Sequence, residues 1–274
     1  MTALAVLAGA LLGGGAAGAC AGAEPALAAV AEAARLGRWA EAERLLQPVT
    51  ASHPHCAEAL VVQGRLLGLK GEPRGAREAL ERALTLDPGH LEARYQLGVW
   101  FFRARRHPDA VRQFEQVVSR RPADARAHDY LALALEALGE PERAEAAYRA
   151  GLEVNEGAFF DALLDYNYGR FLLKQDRLEE SGAHLDRAVR LLPRRRGPHY
   201  ERAKLHLARK DYAAARADGE RALSLPDPGG LVLDLQVYYL LSNVYARLGE
   251  TELARKYAER ARTTTLPGQV EDRR

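Results

Sequence analysis

Apolar and polar residues follow a helical period along the chain that stops and restarts at regular intervals. Residues 91–122 show this most clearly, because they contain two amphipathic stripes separated by a short break. Pro108 lies at the break, where it ends one helix and suits the first turn of the next. The apolar residues of the two stripes are Leu97, Gly98 and Phe101, then Ala110, Phe114 and Val117. The pattern predicts a helical hairpin, with the small Gly98 and Ala110 where the two helices cross.

This hairpin pattern recurs along nearly the whole chain. Pro54, Pro88 and Pro122 are spaced 34 residues apart. Two insertions interrupt the register, one near Phe159 and one that includes Pro228-Gly229-Gly230. The repeats are residues 23–54, 57–88, 91–122, 125–156, 162–193, 196–227 and 235–266, and repeat positions are counted from the first residue of each range. A fixed period predicts a stacked array rather than one globular core.

The order of small and large residues within each repeat resembles the tetratricopeptide repeat. In the third repeat the matching residues are Leu97, Gly98, Phe101, Ala110, Phe114 and Pro122. The resemblance implies an all-α fold, a right-handed superhelical solenoid of about seven tetratricopeptide-like helix-turn-helix units over residues 24–266. A short polar tail, residues 267–274, follows. Because this family binds unrelated ligands, the resemblance leaves the partner open.

The first 23 residues contain no charged side chain and include an apolar run at residues 3–12. The small residues before Cys20 resemble a lipoprotein signal, in which Cys20 would be lipidated, and Ala21-Gly22-Ala23 would equally suit signal peptidase cleavage. We therefore expect an exported protein, either periplasmic or anchored in the membrane by lipid. The alternative is a cytoplasmic protein with a disordered Ala/Gly tail or a start codon placed too early.

Composition and local motifs exclude several kinds of chemistry. The 274 residues carry a formal net charge of +2, which by itself implies no acidic or basic partner. Two cysteines, Cys20 and Cys56, are too few for a disulfide framework. The cluster His53-Pro54-His55-Cys56 lacks a fourth ligand at zinc spacing, and no phosphate-binding or nucleophile motif is present. Arg194-Arg195-Arg196 reads as a solvated loop or as a contact for anionic groups. We expect no catalytic residue, cofactor, metal or nucleic-acid partner.

The resemblance implies that the first helix of each repeat lines a concave groove, so the residues on that face are the candidate binding site. The set combines tyrosines with basic and amide side chains: Tyr95, Tyr166, Asn167, Arg170, Lys174, Tyr200, Lys204, Tyr239, Asn243 and Arg247. Tyrosine offers a large apolar face with one hydroxyl, which suits peptide recognition, and the basic groups favour an acidic segment. The alternative is that the tyrosines pack against neighbouring first helices.

These features predict a non-catalytic scaffold that binds a segment of another protein in its groove. With the export signal, the architecture resembles that of bacterial envelope assembly factors. Two other hypotheses remain open: a cytoplasmic regulatory module, and a solenoid that binds glycans or small ligands on its tyrosine-lined surface.

Overall fold

The computed structural model describes residues 19–154, 159–227 and 232–264, and in these residues the chain forms fourteen α-helices and no β-strand. The all-α prediction is therefore confirmed. None of the helices in these ranges has the length and apolarity that crossing a bilayer requires. The apolar run at residues 3–12, the insertion at residues 228–231 and the polar tail lie outside the described residues.

The helices pair into seven hairpins, and odd numbers denote the first helix of each. In chain order they are α1 Glu24–Arg35, α2 Trp39–Ser52, α3 Ala57–Lys70, α4 Pro73–Leu86, α5 Leu91–Arg103, α6 His107–Arg120, α7 Ala125–Leu138, α8 Pro141–Glu153, α9 Phe159–Lys174, α10 Leu178–Leu191, α11 Arg196–Ala208, α12 Tyr212–Ser224, α13 Asp234–Arg247 and α14 Thr251–Thr263. The chain divides into an N-terminal half, residues 1–155, and a C-terminal half, residues 156–274. Within each half, every first helix packs against the next first helix.

Every hairpin turns through a residue in the left-handed region, always at the fifteenth repeat position. Four of these residues are glycine and three are not: Gly37, Gly71, Gly139 and Gly249, then Arg105, Asp176 and Lys210. The values of φ for the three residues with side chains are 57°, 58° and 62°. Because a Cβ atom is strained in this conformation, glycine suits the position best. The turn geometry is therefore a property of the repeat, and the residue that occupies it varies.

The two helices of a hairpin approach closely where a glycine lies on the first helix. A Cβ atom built on Gly98 would come within 2.7 Å of the Phe114 ring, which is completely buried. Ala110 is buried as well, but the side chain that fills the space over Gly98 is Phe114. The small residue at Gly98 is thus required because the Phe114 ring packs directly on the backbone of α5.

A disulfide joins the turn before α1 to the second hairpin. Cys20 is bonded to Cys56, the N-cap residue of α3, across 36 residues of sequence. Cys56 is fully buried, and Cys20 packs against the same apolar cluster. The neighbouring backbone is fixed too, because His53 Nε2 lies 3.2 Å from the carbonyl oxygen of Ala21. Two cysteines are too few for a framework of several disulfides, but they form one covalent cross-link, which we call the clamp.

The disulfide bears on both hypotheses for processing of the leader. Lipid attachment would use the Cys20 sulfur that is bonded to Cys56, so one molecule cannot contain both bonds. Cleavage after Ala23 would remove Cys20 altogether. A chain that contains the Cys20–Cys56 bond therefore retains Cys20 with its sulfur unmodified, and the processing of the leader stays a prediction.

Buried histidine–aspartate pairs connect the two helices of the fifth and sixth repeats. In the fifth repeat, His184 Nδ1 lies 2.7 Å from Asp165, and Arg187 Nε donates to the same carboxylate at 2.9 Å. In the sixth repeat the residue types exchange places, and His199 Nδ1 lies 3.2 Å from Asp218. These histidines are scattered in sequence, but in each repeat the pair occupies the fourth and twenty-third positions. Because each histidine contacts an aspartate on the other helix of its own repeat, we assign these histidines a structural role that links the two helices of a hairpin.

Arg196 joins the end of the sixth repeat to the residues just before and at the start of α13. Its guanidinium donates to the Leu225 carbonyl at 2.6 and 2.9 Å, to the Val232 carbonyl at 3.0 Å and to Asp234 at 2.5 Å. Arg196 is buried, whereas Arg194 and Arg195 are exposed. For Arg196, both sequence readings of the arginine run are therefore wrong, because this side chain caps backbone carbonyls within its own half of the protein.

Removal of the disulfide is expected to loosen the N-terminal half. In Cys56→Ser the serine can still cap α3, as the sulfur does by accepting from the Ala59 amide at 3.3 Å, so only the cross-link is lost. A loop of 36 residues predicts a loss of about 2–4 kcal/mol in the free energy of unfolding. Urea unfolding of the oxidised chain and of Cys56→Ser measures it. The Cys20→Ser, Cys56→Ser double variant is the control, since reductant should not change its stability; equal stability of oxidised and reduced native chain would contradict the clamp.

Lys210→Gly is expected to stabilise the sixth repeat. Lys210 has φ of 62° in an exposed turn, and glycine adopts this conformation without a clash. The gain should be about 0.5–1 kcal/mol, after the extra chain entropy of glycine is subtracted. Thermal unfolding followed by circular dichroism measures it. The matched control is Ala217→Gly, at an exposed position inside α12 of the same repeat, which should lower stability by about 1 kcal/mol; a stabilising Ala217→Gly, or a destabilising Lys210→Gly, would contradict the argument.

The contribution of Asp218 to stability should depend on pH. Burial alone would raise the pKa of Asp218, but hydrogen bonds from His199 and Arg202 and the charge of Arg202 bring it below its ordinary value. A carboxyl with a lowered pKa stabilises the fold above its ordinary pKa and loses that contribution as the pH falls through the lowered one. Asp218→Asn should therefore cost about 2–3 kcal/mol near neutral pH.

The difference between native chain and Asp218→Asn should shrink as the medium is acidified from pH 5 to pH 3. Urea unfolding at several pH values tests this. Glu179→Gln is the control, because Glu179 is exposed on α10 and has no ion pair among the described residues. A gap that stays constant down to pH 3 would show that the charge of Asp218 does not contribute.

Candidate functional site

The first helices of the C-terminal half present one tyrosine each at the fifth repeat position. These are Tyr166 on α9, Tyr200 on α11 and Tyr239 on α13. Since α9 contacts α11 and α11 contacts α13, the three tyrosines belong to one face of this half. The structure gives them three different environments.

Tyr166 and Tyr200 pack onto the first helix that follows their own. A Cβ atom on Gly197 would come 3.0 Å from the Tyr166 hydroxyl, so Tyr166 lies directly against the start of α11. Burial, with a smaller contribution from Glu201, raises the pKa of Tyr166 to about 12. Tyr200 is half-buried and packs against apolar residues of α13, including Val237 and Leu240. The alternative that the tyrosines pack against neighbouring helices holds for both.

Tyr239 occupies the same position in the last repeat, and its side chain is exposed. It is 57% exposed, and the described residues contain no first helix after α13 that could cover it. Asn243 and Arg247 follow at successive turns of the same helix, and both are exposed. Neither has a hydrogen bond or ion pair among the described residues. Tyr239, Asn243 and Arg247 form the polar-rimmed strip that we call the α13 strip.

The basic residues predicted for the groove are less available than their sequence implies. Lys204 Nζ donates to Glu201 at 2.7 Å and lies 5.5 Å from the centre of the Tyr200 ring. Glu201 is buried on the same helix and was not among the predicted site residues. Lys204 is thus neutralised within the protein. On α9, Asn167 is buried, Arg170 is half-buried and Lys174 is exposed.

Tyr95, predicted for the same groove, is a core residue of the N-terminal half. It is only 7% exposed, and its ring contacts those of Phe114 and Tyr130 with centroids 5.9 Å away in each case. The Arg126 guanidinium lies 4.6 Å from the ring centre. Burial raises the pKa of the Tyr95 hydroxyl well above its ordinary value. The prediction that Tyr95 contacts a partner is wrong, because the next first helix covers it.

Metal binding finds no support in this part of the structure. Residues 19–154, 159–227 and 232–264 contain no group of three histidine, cysteine, aspartate or glutamate side chains placed to hold a metal ion. In the cluster near His53, the Cys56 sulfur is in the disulfide and His53 contacts backbone and Ser52.

Comparisons with known proteins agree with the architecture. Tetratricopeptide repeat models match residues 27–90 and 138–198, residues 69–134 and residues 235–261. No curated protein sequence matches the chain.

Three solved structures illustrate the likeness of fold. PilW, described as a widely conserved type IV pilus biogenesis factor, is 18% identical, with coverage of 74% of this chain and 91% of PilW and a TM-score of 0.65. PilF of Pseudomonas aeruginosa is 13% identical, with coverage of 86% and 96% and a TM-score of 0.65. A tetratricopeptide repeat protein of Parabacteroides merdae is 18% identical, with coverage of 90% and 94% and a TM-score of 0.63. At these identities the likeness concerns the fold alone.

The repeat models together span most of the chain, and the hairpins, their turns and their glycine contacts follow the same period. The chain belongs to the tetratricopeptide repeat family.

Proposed function

We propose that this protein is a non-catalytic scaffold that holds a segment of another protein against the first helices of its C-terminal half. The observation that carries the proposal is the exposure of Tyr239, since the other tyrosines at this repeat position are covered by the next helix. An exposed aromatic side chain surrounded by polar groups is the usual anchor of a protein interface. The α13 strip is therefore the centre of the proposed contact.

The chemistry of the strip favours a peptide over an apolar ligand. Tyr239 supplies a rigid aromatic surface at low entropic cost. The Asn243 amide can donate and accept hydrogen bonds, which matches the amide and carbonyl groups of a peptide backbone. Arg247 can bind a carboxylate through two parallel hydrogen bonds. A segment with an apolar side chain near an acidic residue would use all three groups.

The disulfide supports an oxidising compartment. Disulfides persist in secreted and periplasmic proteins and are rare in the cytosol, where thiols are kept reduced. This favours the exported form over the cytoplasmic regulatory alternative. The proposed leader would be removed before Cys20, and the small residues Ala17, Gly18 and Ala19 suit such a cleavage.

A role in envelope assembly follows as the finer proposal. Export and a peptide-binding face together suit a protein that brings envelope components into contact. PilW, which has a similar fold, is described as a pilus biogenesis factor, and this likeness supports the proposal at the level of architecture. The partner is best sought by covalent cross-linking in the native host, with the protein in its oxidised form.

Replacement of the α13 strip is expected to abolish partner binding without loss of fold. In Tyr239→Ser, Arg247→Gln the affinity for the cross-linked partner should fall at least about tenfold, because an anchor and a charged hydrogen bond are both lost. Isothermal titration with purified proteins measures the affinity, and circular dichroism confirms the helices.

The control for this experiment is Leu191→Ser, which removes another exposed apolar side chain, 54% exposed at the end of α10. Its affinity for the partner should equal that of the native chain. If the strip variant binds as well as the native chain, or if Leu191→Ser is equally weakened, the α13 strip is not the contact. Binding to isolated glycans but to no protein would instead favour a glycan-binding function.

A further inference from the structure

The seventh repeat position is the starting point for a second site, which lies in the N-terminal half and does not depend on the α13 strip. In three repeats a buried leucine fills this position: Leu97, Leu131 and Leu241. Two repeats place a polar residue there instead, Gln63 on α3 and Arg202 on α11. The two polar residues differ in whether the protein supplies hydrogen-bond partners for them.

In the sixth repeat the polar residue is neutralised by aspartates from the two second helices beside it. Arg202 Nε donates to Asp218 on α12 at 2.6 Å, and its other nitrogens donate to Asp218 at 2.8 Å and to Asp186 on α10 at 2.9 Å. Carboxylates from α10 and α12 therefore satisfy the polar residue on the first helix between them.

In the second repeat no such carboxylate is present. Gln63 is half-buried on α3 and has no hydrogen-bond partner among the described residues. A cleft opens over it between α2 and α4, with a volume of about 190 Å³. It continues along α2 into a wider part of about 380 Å³, and Thr50 and Gln63 line both parts. The side chain at the leucine position here presents an amide to an open cleft.

The cleft is rich in hydrogen-bond donors. Arg82 of α4 lines the narrow part, and Arg44 of α2 lines the wider part. Neither guanidinium has an ion pair among the described residues. The acid that lines the wider part, Glu43, is paired with Lys70. The Thr50 hydroxyl donates to carbonyl oxygens of its own helix, so it offers only its lone pairs. The groups of the cleft that can still donate hydrogen bonds to a ligand are therefore guanidinium and amide groups.

We propose that this cleft is a carboxylate-binding site, in which Arg82 and the Gln63 amide donate to an acid supplied from outside the chain. The sixth repeat shows the same kind of contact within the protein, because carboxylates there lie against Arg202, the residue at the position equivalent to Gln63. A narrow part of 190 Å³ is below the size of pockets for drug-sized ligands, which begin at about 300 Å³. It suits a glutamate or aspartate side chain of a protein segment, or a small free dicarboxylic acid. Arg44 would hold a second acidic group along the wider part.

The test uses the oxidised full chain and two probes, glutarate and a blocked diglutamyl peptide. Binding is measured by titration calorimetry and by shifts of backbone amide resonances along α2, α3 and α4. Binding is expected at millimolar concentrations and should weaken with added salt, since both partners are charged. Binding of both probes assigns the site to small acids and side chains alike. Binding of the peptide alone assigns it to a protein segment.

Two variants separate binding from folding. Gln63→Leu introduces the leucine found at the seventh position of other repeats; it is similar in size to glutamine, so it removes the amide donor and should leave the melting temperature unchanged or raised. Arg82→Gln removes the charge at the cleft wall. Each should weaken binding of the probes by at least about tenfold. Arg74→Gln is the control, since Arg74 is exposed on the same helix, does not line the cleft and has no ion pair among the described residues.

Failure to bind either probe would overturn the proposal. So would binding that persists in both Gln63→Leu and Arg82→Gln, or that Arg74→Gln weakens equally. Because the cleft lies in the N-terminal half, each of these outcomes is independent of whether the α13 strip binds a partner.

Discussion

The absence of a side chain at the eighth position of a repeat lets the second helix pack directly on the first. Gly64, Gly98 and Gly169 occupy this position, and a Cβ atom on any of them would come within 2.7–2.8 Å of the facing Leu80, Phe114 or Leu185 side chain. This contact closes each of these hairpins around one large side chain. The eighth position of the other four repeats is Val30, Ala132, Ala203 or Ser242. Once closed, a hairpin buries its remaining apolar faces only against its neighbours, so the three glycine contacts also fix the faces on which the adjacent hairpins pack.

The role of a side chain therefore depends on its place in the array as well as on its place in the repeat. Tyr95, Tyr166, Tyr200 and Tyr239 share one repeat position. The first three become covered by the next first helix to different degrees, and Tyr239 is exposed. A residue that serves as core in a central repeat becomes a candidate contact in the last one. The last repeat thus has a tyrosine at the same repeat position as the third, fifth and sixth repeats, and the tyrosine of the α13 strip differs from theirs in its exposure.

The sequence was sufficient for the hairpins, because their period, turn residues and small positions are local properties of each repeat. It was insufficient for the site, because coverage by a neighbouring helix is not encoded in the repeat that bears the side chain. The pairing of Lys204 with Glu201 was missed as well, because Glu201 was not counted among the groove residues although Asn167 at the same repeat position was. The Cys20–Cys56 bond joins residues 36 positions apart, and the carbonyl contacts of Arg196 join residues 29 and 36 positions apart; no spacing rule for the repeat predicts them.

The disulfide also determines how mechanical force would enter the protein. Cys56 caps α3, so tension applied at Cys20 passes by a covalent route to the start of the second hairpin. The helices α1 and α2 lie inside the closed loop and are bypassed. A chain held by its N-terminal end would therefore keep its first hairpin folded under load, and the first elements to bear the strain would be α3 and the contacts beneath it.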